Sequence, residues 1–141
     1  MLLRLKGHGV KINANEYTLE LNIPALYLDD ANYTISLRMI MLELAMIDDS
    51  TPHQFWSLST TAVDKTAVNP RQEIASFPAP ITKESGYTSI VFYEPVIKRE
   101  YKIQFTSIHS SEFILTSLRS DARLEIINIE ILFEFSRYAR V

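Results

Sequence analysis

Histidine and cysteine side chains are the usual ligands of structural metal sites, and this chain offers few of them. It has no cysteine, and its three histidines, His8, His53 and His109, show no spacing typical of a metal site. A zinc site would require these histidines to converge in space with a carboxylate. We therefore predict no bound metal and no cofactor.

Two pairs of adjacent aspartates are candidate ligands for a calcium ion. Asp29-Asp30 and Asp48-Asp49 carry oxygen ligands of the kind that Ca²⁺ prefers. No EF-hand or glycine-rich repeat accompanies them, and short polar side chains of this type commonly stabilise turns. We interpret both pairs as turn residues.

The remaining polar residues show no arrangement that is typical of a hydrolytic active site. His109 lies near Ser107 and Ser110, but the chain has no Gly-x-Ser-x-Gly motif that would present a nucleophilic serine. Glu130 and Glu134 share one face of a predicted strand at about 13 Å from each other, which is too far for a glycosidase pair. We therefore predict that the protein is not an enzyme.

Aromatic residues are the better candidates for a binding site. Trp56 is the single tryptophan, Tyr27 follows Pro24, and Tyr138 lies near the C terminus. Such rings combine an apolar face with a polar group, which suits a carbohydrate or a peptide. We take Trp56, Tyr27 and Tyr138 as a candidate ligand-binding set. The alternative interpretation is that Trp56 is carried on a short strand and belongs to the hydrophobic core.

Alternation of apolar and polar residues predicts that these side chains are carried on β-strands. From Ile127 to Phe135 every odd position is apolar, and the segments 17–23 and 97–105 alternate in the same way. Gly7 and Gly9 are expected to separate a first short apolar segment from the next. The chain is predicted to contain about eight strands and no long helix.

Length and composition limit the architecture. With 141 residues and 47% apolar content, we expect one domain over 1–141. A chain of this length buries roughly 68–70% of its unfolded surface, enough for a core without metals or disulfides. We predict an all-β fold, a two-sheet antiparallel β-sandwich with a jelly roll of about eight strands. An immunoglobulin-like sandwich is the alternative.

The net charge and the hydropathy of the chain indicate whether it binds nucleic acid or enters a membrane. The net charge is −3, and no basic arm supplies the clustered cations that nucleic acid requires. The longest apolar runs, such as Met39–Leu42, are much shorter than the roughly 20 residues of a membrane span. The segment after Met1 is too short for a signal peptide. We therefore expect no nucleic acid, no membrane and no classical secretion, and a location in the cytoplasm.

The segment 33–47 carries apolar residues at both odd and even positions. It is either a strand with two buried faces or a strand with a β-bulge near Met39–Met41 that reverses the alternation. Two buried faces would require a cover for the outer one, either the connection 62–85 or a second copy of the chain. We predict an oligomer interface that contains Ile40, Leu42, Leu44, Met46 and Leu132.

The overall pattern resembles a known type of domain. About eight strands, no cysteine and a last strand over 125–136 are similar to the single jelly-roll domains of viral coat, penton or fibre-type proteins, and in outline to tumour-necrosis-factor-like trimers. The resemblance implies a non-enzymatic structural protein that self-associates as a homo-oligomer, such as a trimer, in a virus-like capsid or spike. It also implies a location in the virion, as the alternative to the cytoplasm. It assigns no functional residue. The alternative function is a carbohydrate- or peptide-binding sandwich module.

Overall fold

The regular structure of this protein is entirely β-strand in the residues that its computed structural model describes, which are 2–13, 15–23, 33–46, 53–63, 72–80, 88–103, 111–117 and 124–137. The predicted all-β class is thus confirmed. The strands are β1 (Leu2–Lys11), β2 (Glu16–Leu21), β3 (Tyr33–Met46), β4 (His53–Thr60), β5 (Gln72–Pro80), β6 (Thr88–Tyr93), β7 (Glu100–Lys102), β8 (Phe113–Ser117) and β9 (Leu124–Arg137).

A single hydrogen-bonded path joins these strands in the order β5-β4-β8-β2-β1-β9-β3-β6, and β7 also pairs with β3. Every strand pairing is antiparallel. The two ends of the path, β5 and β6, approach each other, so the sheet is nearly closed and barrel-like. The predicted two-sheet sandwich with jelly-roll topology is not confirmed, because the described strands form one continuous sheet.

Aromatic and branched aliphatic side chains fill the interior of this sheet. The rings of Tyr17 and Trp56 lie 5.7 Å apart, and those of Phe113 and Phe133 lie 5.9 Å apart. All four of these residues are buried. An eight-stranded barrel has an interior just wide enough for side chains to fill it. The core therefore accounts for most of the strongly apolar positions in the sequence.

Two β-bulges shape the long central pair, β3 and β9. Leu37 lies opposite Phe133 but Met39 lies opposite Leu132, so Arg38 is an extra residue in β3. Further along, a second register shift makes Ile127 an extra residue in β9. Because each bulge lies on a different strand, the second restores the register that the first one shifts.

The bulges decide which residues face the interior. Before Arg38 the apolar residues Ile35 and Leu37 are buried together with Thr34 and Ser36, and after it the even residues Ile40, Leu42 and Leu44 are buried. The bulge interpretation of this segment is therefore the correct one. The prediction that Ile127 shares a buried face with the following odd positions is wrong, because the β9 bulge turns its side chain outward.

Strand β1 runs without interruption through both of its glycines, so the expected break at Gly7 and Gly9 is wrong. Gly7 lies between Leu21 of β2 and Ile129 of β9. A Cβ atom at Gly7 would overlap the carbonyl oxygen of Glu20 and lie 2.9 Å from the Cα of Leu21. The glycine is required because the backbone of β2 approaches too closely for any side chain.

The substitution Gly7→Ala is expected to lower the free energy of unfolding by about 2–3 kcal/mol, because backbone atoms of β2 must move to make room. Gly9→Ala serves as the matched control. Its Cβ would meet the side chain of Ile126 at 2.9 Å rather than a backbone, so a smaller loss is expected. Urea denaturation measures both. Equal losses for the two variants would contradict the close approach at Gly7.

Candidate functional site

A gap in strand pairing lies beside the β3 bulge. On the side of β3 away from β9, β7 pairs with residues 34–36 and β6 pairs with residues 40–45. No described strand pairs with residues 37–39 on that side. The connection 94–99 between β6 and β7 crosses this gap without regular structure. The bulge at Arg38 thus coincides with an opening in the wall of the barrel.

The two end strands of the sheet form the other border of this opening. Within the described residues, no strand pairs with the outer edge of β5. The Phe77 and Tyr93 rings stack across the seam, with centroids 5.0 Å apart and an angle of 18° between the planes. Beyond the ends of β4 and β7, Val63 and Ile103 form an isolated antiparallel bridge. These two contacts hold the seam together on either side of the opening.

A cavity of about 400 Å³ occupies the seam between these two contacts. We call it the seam cavity. Its inward-facing wall includes Leu37 and the half-buried rings of Tyr93 and Tyr101, whereas Glu73 and Arg99 are exposed at the rim. The remaining described lining residues are Ile74, Ala75, Ser76, Pro95, Val96 and Ile97. The described lining thus combines an apolar and aromatic interior with two charged side chains.

A second feature lies on the outside of the barrel, across β6, β3 and β9. Phe92 is opposite Met41 in the strand register, and Met39 is opposite Leu132. Phe92 is 67% exposed and Ile90, two residues before it, is 59% exposed. We call these five residues the outer apolar patch. It is continuous because cross-strand neighbours lie about 5 Å apart.

The charged residues near this patch pair with one another. Arg4 Nη1 lies 2.9 Å from Glu130 Oε1, and Arg38 Nη1 lies 2.9 Å from Glu134 Oε2. The carboxylate of Glu43 accepts a hydrogen bond of 3.0 Å from the side-chain amide of Asn128. Each guanidinium thus has a carboxylate beside it, and the face carries little net charge around its apolar centre.

The structure corrects the predicted oligomer interface. Ile40, Leu42 and Leu44 are fully buried in the core of the single chain, so a second copy is not needed to cover them. The bulge causes the difference, because it turns these even positions inward and Met39 and Met41 outward. Leu132 does face outward as a member of the outer apolar patch. The side chain of Met46 lies outside the described residues.

The candidate ligand-binding set is also changed. Trp56 is 0% exposed and packs against Tyr17, so it is a core residue and cannot stack on a ligand. Tyr27 and Tyr138 lie outside the described residues. The carbohydrate- or peptide-binding interpretation therefore loses the tryptophan on which it depended, and the seam cavity offers Tyr93 and Tyr101 instead.

Apart from Leu132, the predicted interface and ligand-binding residues are not the ones that the structure brings together at the outer apolar patch and the seam cavity. Ile90 to Tyr93 is an unbroken apolar run, so alternation gave no sign that Ile90 and Phe92 face outward. Glu73 and Arg99 belong to separate segments and line one cavity only because the two ends of the sheet approach each other. A hydrophobic pattern cannot reveal that approach, since it depends on pairings between distant strands.

Comparison with known proteins adds no assignment, since no family model and no curated protein matches the chain. Among the described residues, no group of three or more acidic or histidine side chains is arranged to hold a metal ion. The same part of the chain contains no helix long and apolar enough to cross a membrane.

The position of Trp56 leads to a spectroscopic prediction. Because it is the single tryptophan and is fully buried, iodide should quench the fluorescence of the native protein only weakly. After unfolding in urea, which serves as the control, iodide should quench it strongly. Strong quenching of the native protein would contradict the placement of this ring in the core.

Proposed function

We propose that this protein is a non-enzymatic structural protein that self-associates through the outer apolar patch. The observation that supports this proposal is the exposure of Phe92 and Ile90 on β6, at one edge of a patch that continues onto β3 and β9 through the half-buried Met39, Met41 and Leu132. Clustered exposed apolar side chains, as opposed to single ones, are typical of protein interaction sites.

The charges favour a second copy of the chain as the partner. A two-fold interface places the same surface on both sides, so an excess of one charge would repel its own copy. Here the ion pairs Arg4–Glu130 and Arg38–Glu134 leave the surroundings of the patch nearly neutral. Two copies can therefore bring their patches together without repulsion between like charges.

Burial of the outer apolar patch would supply a favourable free energy comparable to the cost of association. Complete burial of a large apolar side chain stabilises an interface by roughly 1.5–3 kcal/mol, and association costs roughly 4–15 kcal/mol. Phe92 and Ile90 keep more than half of their surface exposed, and a symmetric interface contains each of them twice. Together with Met39, Met41 and Leu132 they supply favourable free energy of the same order as this cost.

The most specific form of this proposal is a capsid or spike component that assembles as a cyclic homo-oligomer. The two-fold contact between patches supports a dimer, and a trimer is the alternative that the resemblance suggests. That form rests on the resemblance of the strand pattern to single jelly-roll coat and fibre-type proteins. The outer apolar patch supports association of the chain, and the resemblance alone suggests the type of assembly.

Light scattering coupled to size-exclusion chromatography tests self-association at tens of micromolar. The wild-type protein is expected to elute as an oligomer, and Phe92→Asp is expected to shift it to the monomer because a carboxylate would be buried in the interface. Phe55→Asp is the matched control, since Phe55 is 42% exposed on β4 and lies outside the patch. It should leave the oligomer unchanged.

Two results would contradict this proposal. A wild-type protein that is monomeric throughout this concentration range would show that the patch does not drive association. An oligomer that survives Phe92→Asp but dissociates in the Phe55 variant would place the interface on another surface.

A further inference from the structure

The seam cavity shares no described lining residue with the outer apolar patch and is not explained by self-association. It is bounded on one side by the Phe77–Tyr93 stack and on the other by the Val63–Ile103 bridge. Its volume of about 400 Å³ falls at the small end of the range for ligand pockets, roughly 300–1,000 Å³. The space therefore suits a compact ligand.

Two features of the walls disfavour an added peptide strand. β5, which forms one wall, has an extra residue at Ile74, and further along the same strand Pro78 and Pro80 lack backbone N–H groups. Bulges and prolines are common protections of strand edges against further pairing. On the other wall, residues 94–99 are irregular and offer no regular row of hydrogen-bonding groups. A ligand would therefore be held by side chains rather than by strand addition.

The inner part of the cavity is apolar and aromatic. Leu37 belongs to the buried core, and the half-buried rings of Tyr93 and Tyr101 pack against that core. Ile74 adds a further aliphatic side chain on the β5 wall. These groups favour a ligand with an aliphatic or aromatic body that replaces water at this surface.

The rim carries two opposite charges on opposite walls. Glu73 lies on β5, and Arg99 lies on the connection that leads to β7. Within the described residues, neither side chain has an ion-pair partner, in contrast to the paired charges near the outer apolar patch. A ligand that carries both an ammonium and a carboxylate would satisfy both walls at once.

From this arrangement we infer that the seam cavity binds a small zwitterion with an apolar side chain, of the class of free amino acids and dipeptides. The carboxylate of the ligand lies against Arg99, its ammonium lies against Glu73, and its side chain packs on Tyr93, Tyr101 and Leu37. Binding involves no covalent step and does not depend on the oligomeric state of the protein.

Isothermal titration calorimetry on the full chain tests this inference with four probes. Phenylalanine and the dipeptide leucyl-phenylalanine are expected to bind. Whichever binds more tightly shows whether the cavity prefers a free amino acid or a dipeptide. N-acetyl-phenylalanine amide has a similar apolar body without the two charges and should bind at least about tenfold more weakly. Maltose, a neutral sugar, should not bind.

Matched substitutions assign the binding to the cavity. Arg99→Gln and Glu73→Gln should each weaken binding of the better zwitterion by about tenfold or more, since each removes one charge-assisted contact. Lys98→Gln and Glu94→Gln remove the same charges from neighbouring exposed residues outside the cavity and should leave the affinity unchanged. All four sites are exposed, so the variants should fold.

Fluorescence of Trp56 gives an independent readout of the wild-type protein. Trp56 lies opposite Phe77 in the β4–β5 register, and Phe77 stacks on Tyr93 in the cavity wall. A zwitterion in the seam cavity should therefore change the tryptophan emission with the same midpoint as the calorimetric titration.

Three outcomes would overturn the inference. The first is that neither phenylalanine nor leucyl-phenylalanine binds at millimolar concentration. The second is that the neutral amide binds as tightly as the zwitterions, or that maltose binds in their place. The third is that the Lys98 and Glu94 controls lose as much affinity as the Arg99 and Glu73 variants.

Discussion

The β-bulge at Arg38 is the feature on which the rest of this structure depends. Strands β3 and β9 are each 14 residues long, and strands of a nearly closed sheet must bend and twist strongly. The extra residue in β3 exchanges its inward and outward faces, and the extra residue Ile127 in β9 compensates for the shift. As a result, apolar residues of the two strands meet in the interior along their whole length.

The same bulge connects the two surface features of the protein. By reversing the alternation it turns Met39 and Met41 outward, where they join Phe92 in the outer apolar patch. It also lies where β3 loses its neighbour between β7 and β6, and Leu37 there contributes to the seam cavity. One inserted residue therefore determines which residues form the core and which are available to partners and ligands.

Local patterns predicted the strands well but not their arrangement. The alternation after Glu16 and after Ile127 predicted β2 and most of β9, because a half-buried strand has a period of two. Around Met39, apolar residues occupy odd as well as even positions. Such a pattern is explained equally well by a strand that is buried on its two faces and by a strand with a β-bulge. Only the pairing with β9 distinguishes them. The closure of the sheet and the placement of Glu73 and Arg99 around one cavity depend on contacts between distant segments, which local periodicity does not encode.

Cysteine scanning across the bulge tests this account most directly, because the native chain contains no cysteine and each introduced thiol reports on one position. Single cysteines would replace residues 37 to 42 in turn, and the rate of labelling by a water-soluble maleimide would be measured in the folded protein. We predict fast labelling at Arg38, Met39 and Met41, and protection at Leu37, Ile40 and Leu42. The contradicting result is a labelling rate that alternates between fast and slow at every step from position 37 to 42, so that positions 38 and 39 differ. It would show that the strand has no bulge and that its two faces are wrongly assigned.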